Sequence, residues 1–337
     1  MKINKAELLT ALEVVKPGIQ TRETVDQATA FAFINGRVVT YNDDISLSHP
    51  VKDLELEGAV QAKELYAILK KMKGDEVEFE AEGNSIIFKS GRAKADLTIQ
   101  EEIRMPLGEI GDIENWKKVP EDFAHFLKFA MATCVKDLAR PMLVGVHIRE
   151  DGVLESSDNR RLTACDIGSP MPVPNFILPA SSCKEVVKLN PTKIAAGDGW
   201  VHFKNKDKSQ LSCRILEDTF PNVEKFFDFP GLNIEFPTTM TEVIDRASVF
   251  AQKEDELQEE MEIILEKNRV TVKARNDSGG FEESVNMKYK EDPFSFVIIP
   301  YLLRDILKEG NTCTVGDKML QFEGAGWKYV SVLKATR

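Results

Sequence analysis

Histidine and cysteine are scarce in this chain. Its 337 residues include four histidines and five cysteines. Cys134, Cys165, Cys183, Cys213 and Cys313 form no C-x-x-C pair, are odd in number and lie in apolar stretches. That pattern argues against a disulfide framework or a thiolate metal site and predicts buried free thiols in a reducing compartment. His49, His125, His147 and His202 nowhere stand at metal-ligand spacing, and no H-E-x-x-H occurs. No apolar run approaches the ~18 residues of a membrane span. The N-terminal MKINKAELLTALEVV has no signal-peptide block. A cytoplasmic protein with no membrane partner is expected.

Reactive constellations are missing as well. The glycine-rich pieces at 197–199, 278–280 and 324–326 form neither a P-loop nor a dinucleotide fingerprint, and each falls where a hairpin turn is expected. Ser278-Gly279-Gly280 is no nucleophile elbow. Asp43-Asp44 and Glu254-Asp255-Glu256 read as solvated charge runs rather than metal carboxylates. The expectation is a non-enzyme with no cofactor and no metal.

Positive charge is in deficit too. There are 44 Lys+Arg against 55 Asp+Glu, a net charge of −11. Nucleic-acid-binding domains are usually basic, so this balance alone argues against one. At 42% hydrophobic and 29% charged, the chain is an ordinary globular one with apolar material for more than one core.

What is present is repetition. Two-residue turn signals fall at Asn35-Gly36, Asp151-Gly152 and Lys267-Asn268, each between apolar runs and spaced 116 and 116 residues apart. A second series, helix then strand–turn–strand, begins near Ala62, Pro179 and Ile299. Its phenylalanines Phe88, Phe203 and Phe322 are 115 and 119 residues apart. Two landmark sets thus give one period of about 116, too long for a solenoid repeat and long enough for a domain. Leu8/Leu12/Val15, Phe123/Leu127/Ala130 and Val243/Ala247/Phe250 open the repeats at helical spacing. Leu65/Leu69/Met72, Cys183/Val187 and Leu302/Ile306 do so in the second halves. The prediction is an α+β fold of three copies, 1–113, 114–231 and 232–337, each with two helices on antiparallel sheets.

The six predicted helices, 5–16, 61–73, 120–136, 180–188, 238–253 and 300–308, carry 14 basic and 9 acidic residues. The remainder has 30 and 46. The helices are net +5 and the rest net −16. A few lysines on solvated faces would give the same count. The functional reading is a basic helical layer meeting backbone phosphates without reading bases. Its members are Lys63, Lys70, Lys71, Lys73, Lys128, Lys136, Lys184, Lys188, Arg246, Lys253, Arg304 and Lys308.

Three domain-sized copies with such a layer resemble a bacterial-type sliding clamp, the DNA polymerase III beta subunit. SSDNRRLTAC (156–165) is similar to the family's A-T-D-G-H-R-L-A segment at Asp158, Arg161 and Leu162. EDTFPNVEKFF (217–227) resembles its D-G-R-F-P-D-Y segment at Phe220 and Pro221. FILPASSCKEVVKL resembles its strand-into-helix segment, and YVSVL (329–333) its last strand. The resemblance spans nearly the whole chain. It implies half of a closed ring, completed by a head-to-tail homodimer that encircles duplex DNA and tethers the replicative polymerase. It further implies that the polymerase and the clamp loader dock through short hydrophobic peptides. Carried over residue by residue, the peptide cleft is Leu143, Ser157, Asn159, Arg160, Arg161, Leu162, Pro221, Lys225, Phe226, Val332 and Leu333. The inner-surface arginine matches Arg22, with Arg140 at the equivalent place 118 residues on. Asn159-Arg160 stands where the family has Gly-His, Phe226 is bulkier than the usual aliphatic, and the tail is Leu333-Lys334-Ala335-Thr336-Arg337. These departures mark a divergent member, of bacterial or phage origin. Two rivals stay open at this point: a clamp-like protein scaffold that does not hold DNA, and a hydrolase or transferase whose site the pattern hides.

Overall fold

The computed structural model describes residues 1–111, 113–135 and 140–334. Among them six α-helices form: α1 (Lys5–Val15), α2 (Ala62–Lys71), α3 (Phe123–Met131), α4 (Ala180–Leu189), α5 (Met240–Ala251) and α6 (Pro300–Ile306). All six were predicted. The strands pair antiparallel throughout, so the architecture is the expected α+β. No described helix is long and apolar enough to cross a membrane.

The three turn signals do what their residue types dictate. Asn35 and Gly36 have φ of 48° and 70°, joining strands Ala30–Ile34 and Arg37–Tyr41; Gly152 has φ 91° and Asn268 φ 59°. Only Gly, and less readily Asn, adopts these left-handed values at little cost. The three periodic phenylalanines are fully buried, each beside a second ring: Phe88 on Phe79, Phe203 on Phe123 and Phe322 on Phe236. All five cysteines are buried and free.

The chain divides into two compact units. The first contains Met1–Lys128, Ile148–Asp151 and Ser169–Asp218; the second contains Phe129–His147, Gly152–Gly168 and Thr219–Arg337. In the first unit a twelve-stranded sheet runs from Lys2–Asn4 to Lys117–Lys118. Near its middle Ile45–Pro50 pairs with Gln210–Arg214, Leu47 opposite Leu211. In the second unit Arg161–Asp166 pairs with Trp327–Val332, Leu162 opposite Val330. These two junctions are the same event one period apart. Each joins the third strand of a repeat's first half to the last strand of the following repeat's second half. A separate four-stranded sheet in the second unit has the order Gly279–Asn286, Arg269–Asn276, Met261–Glu266, Phe294–Ile298. Helices α5 and α6 pack over the core beneath, which includes Phe236, Ile244, Leu302 and Phe322.

Five of the six helices end earlier than predicted, while α4 runs one residue further, to Leu189. The third was expected over 120–136 but stops at Met131. Its terminal carbonyls are taken by side chains: Ala130 O accepts from Thr133 Oγ1 (3.0 Å) and from Ser156 Oγ (2.6 Å), and Ala132 O accepts from the Arg161 guanidinium (3.0 Å). Thr40 Oγ1 likewise donates to Val15 O at the end of α1 (2.6 Å). Carbonyls satisfied this way no longer need another helical turn.

Candidate nucleic-acid surface and peptide groove

Earlier helix ends change the charge count. The observed helices hold nine basic and seven acidic residues, net +2 rather than +5. Lys73, Lys253 and Lys308 stand two residues past the ends of α2, α5 and α6, and Lys16 one past α1. Cations there are favoured by the helix macrodipole, which accounts for part of the bias without any ligand. Lys136 lies outside the described residues.

The remaining candidates fall into two groups. In the second unit Arg246 forks onto Glu283 at 2.8 and 2.9 Å, and its pKa is raised chiefly by that hydrogen bond. Arg304 lies 4.0 Å from Asp245 and 3.6 Å from Asp305, and Lys308 lies 3.7 Å from Asp305. In the first unit Lys188 pairs with Glu185 at 2.9 Å, and Lys70 sits over the Tyr66 ring, 3.8 Å from Glu13. Among the described residues, Arg22, Lys63, Lys71, Lys73, Lys128 and Lys184 have no ion pair. Exposed pairs of this kind contribute about 0–1 kcal/mol each, so phosphates could compete for the cations.

The groove is built around one hairpin in the second unit. Strands Val153–Ser157 and Arg161–Asp166 are joined by a turn that Asp158 organises: its Oδ1 accepts from the backbone N–H of Arg160 and of Arg161 (3.0 and 2.9 Å). Ser157 Oγ donates to Arg161 O (2.9 Å) and accepts from Asn159 N (3.1 Å). Asn159 has φ 68°. That conformation explains why glycine suits this position and why asparagine can replace it.

Arg161 is a keystone rather than a free surface cation. Its side chain is 11% exposed. Nε meets Asp158 at 2.9 Å, Nη1 meets Asp305 at 3.3 Å, and the guanidinium lies over the Tyr301 ring at 5.1 Å. Burial opposes its charge, but Tyr329 and Asp158 outweigh that and hold its pKa above the ordinary value. Tyr329 donates its own hydroxyl proton to Leu302 O at 2.8 Å.

Beside this turn lies a groove of about 800 Å³, lined by Cys134, Val135, Arg140, the 158–161 turn, the 255–257 segment, Tyr301, Arg304 and Asp305. Asn159, Arg160 and Arg161, all predicted cleft residues, therefore line it. Arg140, which the repeat paired with Arg22 on the nucleic-acid side, lines the same groove. Val332 is tied to the turn by donating its N–H to Arg160 O (2.8 Å). Leu143 and Leu162 are buried, at 4% and 6% exposure, and do not line the groove. Phe226 and Val332 are among the few exposed large apolar residues. Pro221 and Lys225 are exposed and Leu333 is half-buried. The ring of Phe220, next to Pro221, stacks on His147 at 5.1 Å. Sequence reasoning missed Cys134, Val135, Leu257 and Tyr301. A signal for Leu257 was available: an isolated leucine within the acidic run at 254–260.

Burial pushes the Cys134 thiol up to about 12, away from a thiolate nucleophile. Among the described residues no group of three His, Cys, Asp or Glu could hold a metal ion. His49, His147 and His202 are engaged with Ser209, Glu155 and Ser212.

No family model matches the chain, and no curated protein matches it. Solved structures do. The DNA polymerase III subunit beta from Pseudomonas aeruginosa superposes with TM-score 0.87, 16% identity and 99% of each chain covered. The DNA polymerase sliding clamp from Bacillus subtilis gives 0.84 at 19% identity, covering 100% of this chain and 99% of that one. Caulobacter crescentus pol III beta gives 0.85 at 18% identity with both chains fully covered. The chain has the fold of these proteins over its whole length.

Proposed function

We propose that this protein is a sliding clamp, a ring-shaped homodimer that encircles duplex DNA and tethers a replicative polymerase. The observation that carries the reading is the end-to-end likeness in fold to structures described as sliding clamps, with TM-scores of 0.81–0.87. The three repeats at 1–113, 114–231 and 232–337 and the cytoplasmic setting belong to the same reading. The peptide groove around the 158–161 turn would receive the polymerase and the loader, and the unpaired lysines of α2 and its end would face phosphates.

Strand pairing supports a head-to-tail dimer. The repeat makes its junction twice within the chain. One period further, the next partners are Gly279–Asn286 and Ala93–Gln100. Gly279–Asn286 ends its sheet, and on one side Ala93–Gln100 pairs only through Ile99 and Gln100. Each is an open edge among the described residues, and open edges invite pairing. A second copy satisfies both, giving a heterologous interface that closes.

The decisive experiment loads the protein onto nicked circular DNA and then linearises the circle. Retention on the circle with release after cutting is expected; equal retention on both forms would refute encirclement. Sedimentation should show a species of about twice 37.9 kDa. A second reading, a clamp-like scaffold that does not hold DNA, draws support from the internal pairing of Arg246, Arg304 and Lys308. Reversing Lys70, Lys71 and Lys73 to Glu separates the two. Lost processivity with peptide binding intact favours the clamp, and unchanged processivity favours the scaffold.

A further inference from the structure

The first unit carries a row of cations on the face of its sheet turned away from α3. Strand pairing sets Lys193 directly opposite Lys118 on one side and Lys204 on the other, so the three side chains share one face. Ile194 and Phe203, next to them in sequence, point the other way into the core, where Phe203 stacks on Phe123 of α3. The row continues through Gln210 to Ser48, whose hydroxyl accepts from Arg37 Nη2 at 3.0 Å. Arg37 also donates to Lys208 O at 2.8 Å. The half-buried Trp116 indole lies alongside, its centre 5.5 Å from Lys204 Nζ. Little acid offsets this charge. Glu121 pairs with Lys118 at 3.3 Å, and Asp207 is held by Ser209. Lys193, Lys204 and Lys208 form no ion pair among the described residues. Burial, and then the charges of Arg37, Lys193 and Lys208, lower the Lys204 pKa. Like charges directly opposite one another on adjacent strands destabilise a sheet, so the row is held against repulsion. Lysine on an edge strand guards against unwanted pairing, which accounts for Lys118 on the edge strand Lys117–Lys118. It does not account for Lys193 and Lys204, which lie on the interior strands Lys193–Ala196 and Trp200–Lys204.

We propose that this row is a second nucleic-acid site, one that takes a single strand: Lys193, Lys204 and Lys208 meet its phosphates and Trp116 stacks on an unpaired base. Every nucleotide brings one negative charge, and every unpaired base offers a π-face to an aromatic ring. The Lys204 ammonium against the indole puts positive charge next to the place where a base would stack. A duplex keeps its bases stacked inside and offers the indole nothing. An acidic peptide would satisfy the lysines but leave Trp116 unused. Under the clamp reading the helices face the duplex, so the opposite sheet face is free for a separate strand. The site needs no ring and goes beyond that reading.

The test is fluorescence anisotropy on the full-length protein with a labelled linear oligo-dT of about 12 nucleotides, within the site sizes that single-strand binders show. Binding at low salt is expected. The slope of log affinity against log salt should be about −2, from three phosphate contacts at about −0.7 each. Lys193→Glu/Lys204→Glu should weaken binding about 10-fold or more. If that variant fails to fold, Lys204→Gln, which relieves repulsion, gives the same test with a smaller loss. Trp116→Ala should cost about 5-fold or more, and Trp116→Phe should restore most of it. Reversal of Lys70, Lys71 and Lys73 to Glu should leave oligo-dT binding unchanged; a loss there assigns the binding to the helices and overturns the proposal. Equal binding of a duplex of the same length, tighter binding of a labelled poly-Glu peptide, or no binding at low salt also overturns it. None of these outcomes bears on encirclement, which the nicked circle decides separately.

Discussion

Replacing Arg161 by methionine is the most searching perturbation of the groove. The side chain is 11% exposed and Asp158 16%, so both charges are largely out of water, whereas Asp305 is 41% exposed. Removing one partner of a fully buried ion pair costs about 3–5 kcal/mol, because the other charge is left uncompensated. The accessible Asp305 and the two backbone N–H groups still serving Asp158 reduce that. The Ala132 carbonyl adds little, because it belongs to an exposed residue and water takes the place of the guanidinium. The balance is about 3 kcal/mol, or about 6–12 °C in the melting of the second unit. Methionine keeps the bulk over Tyr301, so the loss is electrostatic rather than a cavity. Urea denaturation followed by circular dichroism measures it. Arg161→Lys should recover only part of the loss, because an ammonium cannot reach Asp158, Asp305 and Ala132 O together. A loss below 1 kcal/mol for Arg161→Met would refute the keystone role and return Arg161 to the surface.

Three further outcomes are expected. His202 is 2% exposed and burial lowers its pKa to about 4 from 6.5, so the folded state stays neutral while the unfolded chain takes up a proton below pH 6.5. That contribution is complete above 6.5 and falls away toward pH 4 by about 3 kcal/mol, so in urea titrations His202→Gln should show a shallower loss over that window. Asn159→Ala should cost about 1 kcal/mol, because alanine tolerates φ 68° poorly, whereas Asn159→Gly should be neutral or stabilising by thermal melt. Phe322→Ala, at 0% exposure against Phe236, should lose about 3–5 kcal/mol in the same measurement.

The elements that could be read from the sequence were those set by local chemistry. Asn35-Gly36 and Lys267-Asn268 specify left-handed turns through their own backbone preferences, and the i, i+4 leucines of α2 specify a helix by face alone. Helix ends were less legible, because α3 is terminated by Ser156 and Arg161, more than twenty residues downstream. The same holds for the groove. Resemblance supplied Asn159, Arg160 and Arg161, but Cys134, Leu257 and Tyr301 join them only through folding. Nothing in the one-dimensional pattern separates Arg161, committed to two aspartates, from Arg160, committed to none.

Charge shows what such commitments change. The net −11 divides into +2 on the observed helices and −13 elsewhere, and several helical cations are already paired. Each phosphate contact releases counterions, so binding strength and its salt dependence scale with the number of cations free to make contacts. With so few free cations, attraction alone would give weak, salt-sensitive association with DNA. Under the clamp reading, retention must then come from closure of the ring. Diluted until only monomer sediments, the protein should lose DNA altogether at physiological salt rather than bind it more weakly. Monomer that stayed on DNA would mean that the lysines of α2, and not topology, provide the hold. A weak lining also suits movement, since a surface that bound phosphates tightly would resist sliding.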